Sequence, residues 1–256
     1  MELKIQGNMI QGSRDYQEDY YEICTEQFKG SNSCLVVLCD GMGGHSGGAL
    51  ASHIVVTAFV NEFITSTKLT PSDALAKSLS EAQLAIKSEV NDNAAPSDMG
   101  TTLVAVYVSD SDLHWLSVGD SHLYLYRKGD VIKLNEDHSM AAVLDDLVEI
   151  GRLETEEALS DPQRSALRSY VSVDDIPLVD IQSKLNYLSS KDKLILASDG
   201  LDTITLKDIE TIIDKNKNKS ADFISSKLLT AVDLAKAPNQ DNASVVVVSL
   251  SKGFWF

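Results

Sequence analysis

Five short segments scattered along this chain each set a carboxylate where a strand or turn would end. They read Gln17-Glu18-Asp19, Asp40-Gly41-Met42-Gly43-Gly44, Gly119-Asp120-Ser121, Ser198-Asp199-Gly200 and Gln240-Asp241-Asn242. Four of the five follow an apolar run that reads as a buried strand. Aspartate is disfavoured in strands and costly to bury without a partner. Carboxylates gathered at buried strand ends would repel each other unless a cation sat among them. The chemistry this set supports is divalent-metal binding. Oxygen-only ligation by carboxylates, carbonyls and waters selects a hard ion such as Mg²⁺ or Mn²⁺. Glycines after Asp40 and Asp199 allow sharp turns, and Gly41, Gly43 and Gly44 would let backbone carbonyls approach an ion. A lone Asp-Gly is usually just a turn, so the weight rests on the five together.

Other chemistries find less support. The chain has no Cys/His pattern with zinc spacing, no EF-hand loop, no P-loop and no Gly-x-Ser-x-Gly elbow. The run from Gly41 to Ser46 sits between a strand and a helix, as a dinucleotide fingerprint does. It lacks the third glycine, and Asp40 would repel a pyrophosphate.

The elements that must carry these residues follow from periodicity. Cys34–Cys39 is an unbroken apolar run, a buried strand that ends at Asp40. Gly47 to about Lys68 reads as a helix, with Leu50, Ile54, Ala58 and Val55, Phe59, Phe63 recurring every four residues. Thr70-Pro71-Ser72-Asp73 supplies a cap, a first-turn proline and an acid for a second helix, whose stripe is Leu75, Leu79, Ala82, Ile86 and Val90. Strands are predicted at Thr101–Val108, Leu113–Val118, Leu123–Tyr126 and Val131–Leu134. The polar, partly helical stretch 136–170, with Thr155 as a cap, reads as a flap. Strands at Leu178–Leu185 and Lys193–Ala197 follow, then helices at Leu206–Lys215 and Ala221–Lys236. The second of these helices places Ile224, Leu228, Ala231 and Ala235 on one face, and Ala243–Leu250 is a strand buried on both sides. Helices come in pairs rather than alternating singly with strands. That order favours an α+β fold, a sandwich of two mainly antiparallel sheets with a helix pair over each outer face.

The 256 residues, 43% apolar, suit one domain spanning 1–256 with a full core. A formal charge of −16 argues against nucleic-acid or anionic-membrane partners. Cys24, Cys34 and Cys39 are expected as reduced thiols. The N-terminus lacks an apolar stretch of signal-peptide length, and no apolar run suggests a membrane span. A cytoplasmic monomer is the expectation.

At this point the residues carry a resemblance. Arg14-Asp15-Tyr16-Gln17-Glu18-Asp19, Asp40-Gly41-Met42-Gly43-Gly44-His45, Met99-Gly100-Thr101-Thr102, Val118-Gly119-Asp120-Ser121, Asp161-Pro162-Gln163-Arg164-Ser165, Ala197-Ser198-Asp199-Gly200-Leu201 and Gln240-Asp241-Asn242-Ala243-Ser244 span nearly the whole chain. In that order they resemble the metal-dependent Ser/Thr protein phosphatases of type 2C, in their compact bacterial form. The resemblance implies a four-layer α-β-β-α sandwich and two Mg²⁺ or Mn²⁺ ions. Asp40 would bridge the two, Asp199 and Asp241 would complete one, and Glu18 with the Gly41 carbonyl would serve the other. Asp19 would orient water behind them, and Asp120 with Asp199 resembles the family's third-metal position. Arg14 would grip the substrate phosphate, as a planar fork suits that group. A water activated between two cations would attack phosphoserine or phosphothreonine in line, without a phosphoenzyme. Phosphoproteins, a bacterial Ser/Thr kinase and its targets are the implied partners. The alternative is an inactive pseudophosphatase that only binds phosphoproteins, which the complete ligand set disfavours.

Two departures from the family stand out. Eukaryotic-type members carry a histidine, proposed as general acid, where this chain has Met42, so the leaving-group proton must come from elsewhere. Many relatives have arginine where this chain has His122, read here as a surface residue. His45 is read as structural, His138 as a turn residue, and Arg164 and Arg168 as a pair that either steers phosphopeptides or forms a solvated flap face.

Overall fold

The structure, a computed structural model, describes residues 2–25, 32–43, 47–93, 95–186 and 188–251. The apolar runs form strands because both faces of each are covered. In β3 (Ser33–Met42), Val36 and Leu38 point between two sheets, while Val37 and Cys39 point to the helix layer. In β11 (Ala243–Ser251), Val246 and Val248 face inward while Val245 and Val247 face the other helix layer. This explains why the sequence shows continuous rather than alternating hydrophobicity there.

One sheet runs β1-β11-β10-β7-β8, with β1 (Glu2–Ile10), β10 (Lys193–Ala197), β7 (His122–Arg127) and β8 (Asp130–Lys133). The other runs β2-β3-β5-β6-β9, with β2 (Asp19–Cys24), β5 (Leu103–Ser109), β6 (Asp112–Val118) and β9 (Asp180–Asn186). The short β4 (Gly100–Thr101) pairs with the end of β3. All pairings are antiparallel. Helices α1 (Gly47–Thr65) and α2 (Pro71–Asn93) cover the second sheet. Helices α5 (Leu206–Lys215) and α6 (Ala221–Ala235) cover the first. The α-β-β-α order expected from the sequence is the one observed.

Packing is dense around Phe59 and Phe63 of α1, both essentially inaccessible. Truncating Phe59 to alanine would cost about 3–5 kcal/mol through lost burial and the cavity left behind. Helix α1 has 19 residues and is apolar enough to cross a bilayer, yet half of it lies buried within the fold. It packs as a core helix between the sheet and α2.

Local details differ from the sequence reading. The strand expected at Thr101–Val108 breaks at Thr102, whose hydroxyl accepts a bond from the Asp40 amide instead of extending the ladder. Helix α1 stops at Thr65, whose hydroxyl donates back to Asn61 and Glu62 carbonyls. Helix α6 buries Ala221, Ile224, Ser225, Leu228, Leu229 and Val232, while Ala235 is exposed. Lys236 takes a left-handed φ of 49°, ending the helix before that last turn reaches the sheet. The 136–170 stretch holds α3 (Met140–Glu149) and α4 (Thr155–Ser160). Glu154, not Thr155, caps α4, with its amide donating to the Glu157 carboxylate at 3.5 Å.

Candidate functional site

The strand ends converge. Arg14, Glu18, Asp40, Gly41, Met42, Gly43, Asp120, Asp199 and Asp241 line one cleft of about 380 Å³. Residues from the flap close one side, with Ser165, Leu167 and Tyr170 among the lining. The β2–β3 register sets Asp19 opposite Asp40, so both carboxylates fall on the same face of the sheet. Asp199 begins a 3-10 turn at the end of β10, and Asp241 lies two residues before the start of β11. Gly44 and His45 lie outside the described residues.

Close backbone approach makes this convergence possible. A Cβ on Gly41 would sit 2.1 Å from the Gly48 carbonyl oxygen, and one on Gly200 would sit 1.9 Å from that of Asn242. Only glycine lets β3 meet the first turn of α1 and lets the Asp199 turn meet the Asp241 segment.

Neutral polar groups then hold the backbone. The Thr102 amide and the Thr101 hydroxyl both donate to the Asp40 carbonyl, at 2.9 and 2.7 Å. The Asp40 amide donates to the Thr102 hydroxyl at 3.0 Å, and that hydroxyl meets Ser121 at 2.7 Å. The Asn242 side chain accepts from the Glu18 amide at 2.8 Å and donates to the Gln11 and Tyr16 carbonyls at 2.7 and 3.0 Å. It thereby staples the segment carrying Arg14 and Glu18 onto β11. Asn242 and Thr102 stood in the quoted motifs without a role, and their position beside Asp241 and before β5 was the only signal.

The carboxylates remain mostly without cationic partners. Burial raises the Asp40 carboxyl well above the usual range, and Asp19, Asp199 and Asp120 raise it further. Burial carries Asp19 to about 7 despite the Ser198 hydroxyl donating to it at 2.7 Å. Burial, then the charge of Asp199, carries Asp120 to about 7. Asp199 is raised by burial and then by Asp241. Glu18 is raised by burial, with Arg14 opposing. One oxygen each of Glu18 and Asp19 is buried with no hydrogen-bond donor. Arg14 lies at the rim, its Nη2 2.6 Å from Asp241 Oδ2, both partly exposed.

Divalent cations fit this donor set. The ligands are all hard oxygens, several are buried, and two oxygens lack any donor. Among the described residues, however, no three side chains close on a common point as a finished coordination sphere would. The carboxylates share a cleft rather than a ready cage, and Asp241 is turned to Arg14.

Other sequence readings shift. His122 is buried, not a surface residue, with Nε2 2.9 Å from Asp202 Oδ1. His138 is also buried and accepts the Gly119 amide on Nδ1 at 3.2 Å, anchoring the flap to the Asp120 turn. Arg164 makes a two-pronged pair with Asp145 of α3, at 2.8 and 2.9 Å, which commits its guanidinium to the flap itself. Backbone bonds between Thr101 and Val171 stitch the flap's far end to β4.

A family model described as Protein phosphatase 2C matches residues 7–227. The serine/threonine phosphatase stp of Listeria monocytogenes is 28% identical over 223 residues, covering 85% of this chain and 84% of that protein. The crystal structure of the Mycobacterium tuberculosis serine/threonine phosphatase PstP/Ppp superposes with a TM-score of 0.82 at 25% identity, covering 98% of this chain and all of that one. A PstP catalytic domain in complex with two manganese ions gives a TM-score of 0.75 at 24% identity, covering 98% of this chain and 99% of that one, a likeness of fold.

Proposed function

The chain belongs to the protein phosphatase 2C family, and from that premise we propose that it hydrolyses phosphoserine and phosphothreonine on proteins with the help of divalent cations. The observation that carries the reading is the single cleft shared by Arg14, Glu18, Asp40, Asp120, Asp199 and Asp241. Asp40, Asp199, Asp241, Glu18 and the Gly41 carbonyl are the groups that would hold two such cations. Asp120 and Asp199 would serve a third. When bound, such cations supply a water acidified toward neutrality and a counter-charge for the phosphoryl oxygens.

The chain's own residues do the rest. Arg14 sits at the mouth, where its guanidinium can leave Asp241 and take two phosphoryl oxygens. Asp19, fixed by Ser198 and paired across the strands with Asp40, would help orient a water in the cleft. Met42 lines it where some relatives have a histidine, so the leaving oxygen takes its proton from solvent or a bound water. The partners would be phosphoproteins in the cytoplasm, a bacterial Ser/Thr kinase and its targets among them.

The test is hydrolysis of p-nitrophenyl phosphate and of phosphoserine and phosphothreonine peptides, with Mn²⁺, with Mg²⁺ and with chelator. Turnover should need metal and be abolished by chelator. Binding of phosphopeptide with no hydrolysis at any metal concentration would favour the inactive alternative instead.

A further inference from the structure

A cavity of about 1220 Å³ lies at the opposite end of the first sheet from the cleft. It opens where β10 and β1 begin and β7 and β11 end, beneath the turn between α5 and α6. Its lining is cationic: Lys4, Arg127, Lys128, Lys191, Lys193, Lys217 and Lys219 face only one carboxylate, Asp192. In a chain of formal charge −16 this concentration of lysines is unexpected.

The strand register explains part of the arrangement. Lys4 pairs with Ser249, Ser249 with Lys193, and Lys193 with Tyr126, so four strands place one row on the same face. Lys193 is only 4% exposed, and among the described residues its ammonium finds just the neutral Ser249 hydroxyl, at 3.2 Å. A buried ammonium has three donors and a high desolvation cost, so one hydroxyl leaves it poorly matched. The one buried carboxylate is already taken: Asp192 accepts from Arg127 Nε at 3.1 and 3.2 Å and from Nη2 at 2.5 Å, and from the Ser189 amide at 2.7 Å. That pairing builds a rigid wall and removes the only guanidinium from play. Lys217 binds Asp214, and Lys4 lies 3.7 Å from Glu2. Lys128, Lys191 and Lys219 have no carboxylate partner among the described residues.

We propose that this cavity is a docking site for an acidic segment of polypeptide, separate from the phosphatase cleft. The row from β1 to β7 spans three inter-strand spacings, about 14 Å, which an extended peptide of about four or five residues would cover. A single small anion would reach only one or two of the lysines. The available cations are all lysines, which read charge rather than the bidentate geometry of a phosphate. Among the described residues the cavity offers no unengaged aromatic face for a nucleobase, since Tyr126 is buried and its hydroxyl donates to Asp214 at 2.7 Å. A carboxylate on the floor at Lys193, with others along the rim, completes the charge balance.

The experiment is fluorescence anisotropy of a labelled, unphosphorylated Glu/Asp-rich peptide against the full chain at low and at physiological salt. The wild type should bind, and binding should weaken as salt rises. The doubly substituted Lys191→Glu/Lys219→Glu chain, altered only in exposed turns, should bind at least about tenfold more weakly with unchanged p-nitrophenyl phosphate turnover. Arg14→Ala should leave peptide binding unchanged. Lys193→Met tests the floor, and should weaken binding even where it retains the fold. The proposal is overturned if the peptide fails to bind at about millimolar concentration. It is also overturned if Arg14→Ala removes binding while the charge reversals do not. Binding of tripolyphosphate that depends on Lys193, with no binding of the peptide, would overturn it in favour of a small polyanion.

Discussion

Replacing Asp120 with asparagine should stabilise the metal-free protein while damaging its function. Burial and then the neighbouring charge of Asp199 carry the Asp120 carboxyl to about 7, from an ordinary value of 3.8. The folded-state value lies above the unfolded one, so the native chain holds a proton that the unfolded chain has lost. Between those two values stability therefore falls as pH rises, and the full cost is present above about pH 7. A shift of about three units at about 1.36 kcal/mol each sets a ceiling near 4 kcal/mol. Residual solvent and imperfect bonding of the amide reduce the net gain to about 1–2 kcal/mol. For a chain of this size that is a rise in Tm of roughly 2–8 °C. The assay is thermal unfolding in chelator at pH 8 and pH 5, wild type beside Asp120→Asn. The variant should melt higher at pH 8, and its advantage should shrink toward pH 5, where the wild-type carboxyl is protonated. Added Mn²⁺ should raise the wild type more than the variant. An equal or lower Tm for the variant at pH 8, or an advantage independent of pH, would refute the electrostatic account.

Asp40→Ala and Asp199→Ala should each abolish phosphatase turnover while circular dichroism stays native; full activity in either would remove its assigned role. Arg14→Ala should raise KM for p-nitrophenyl phosphate about tenfold or more with a smaller change in kcat, because it removes a contact made to the bound phosphate. An unchanged KM would count against that grip. Asn242→Ala deletes three hydrogen bonds that tie the Arg14–Glu18 segment to β11. It should cost about 1–3 kcal/mol in denaturant unfolding and lower kcat/KM; unchanged stability and kinetics would show that the segment is held otherwise.

Much of the site was legible because its carboxylates follow apolar runs. A strand buried on both faces that ends in Asp-Gly is an unusual pattern, and Asp40 and Asp199 both display it. The sandwich was legible from the paired helices for the same reason, since Thr70 and the Leu75–Ile86 stripe mark α2 directly. What stayed hidden depends on register and on long-range contact. Nothing local says that Asp19 faces Asp40, which follows only from the β2–β3 pairing. His122 looks like a surface residue until β7 is seen to bury it beside Asp202. Arg164 reads equally as a phosphopeptide-steering cation or as part of a solvated flap face until α3 brings Asp145 to it. The lysines of the distal cavity come from strands β1 and β10 and from several turns, so no single stretch of sequence announces them.

How the fold treats its acids separates a functional cluster from a structural one. Thr101, Thr102 and Asn242 satisfy the backbone around Asp40 and Glu18 with neutral groups. Elsewhere the molecule shows that it can neutralise a buried carboxylate outright, as Arg127 does for Asp192. At the cleft it does not: among the described residues the one guanidinium stays at the rim on Asp241, and an oxygen each of Glu18 and Asp19 finds no hydrogen-bond donor. A carboxylate kept only for stability would be paired in the manner of Asp192, because an unpaired buried charge destabilises the fold by several kcal/mol. Holding the backbone rigid while leaving the acidic oxygens unmatched makes sense when something arriving from solution supplies the missing positive charge. The same contrast, with the signs reversed, holds at the far end of the sheet, where Lys193 is fixed in place and left without an anion.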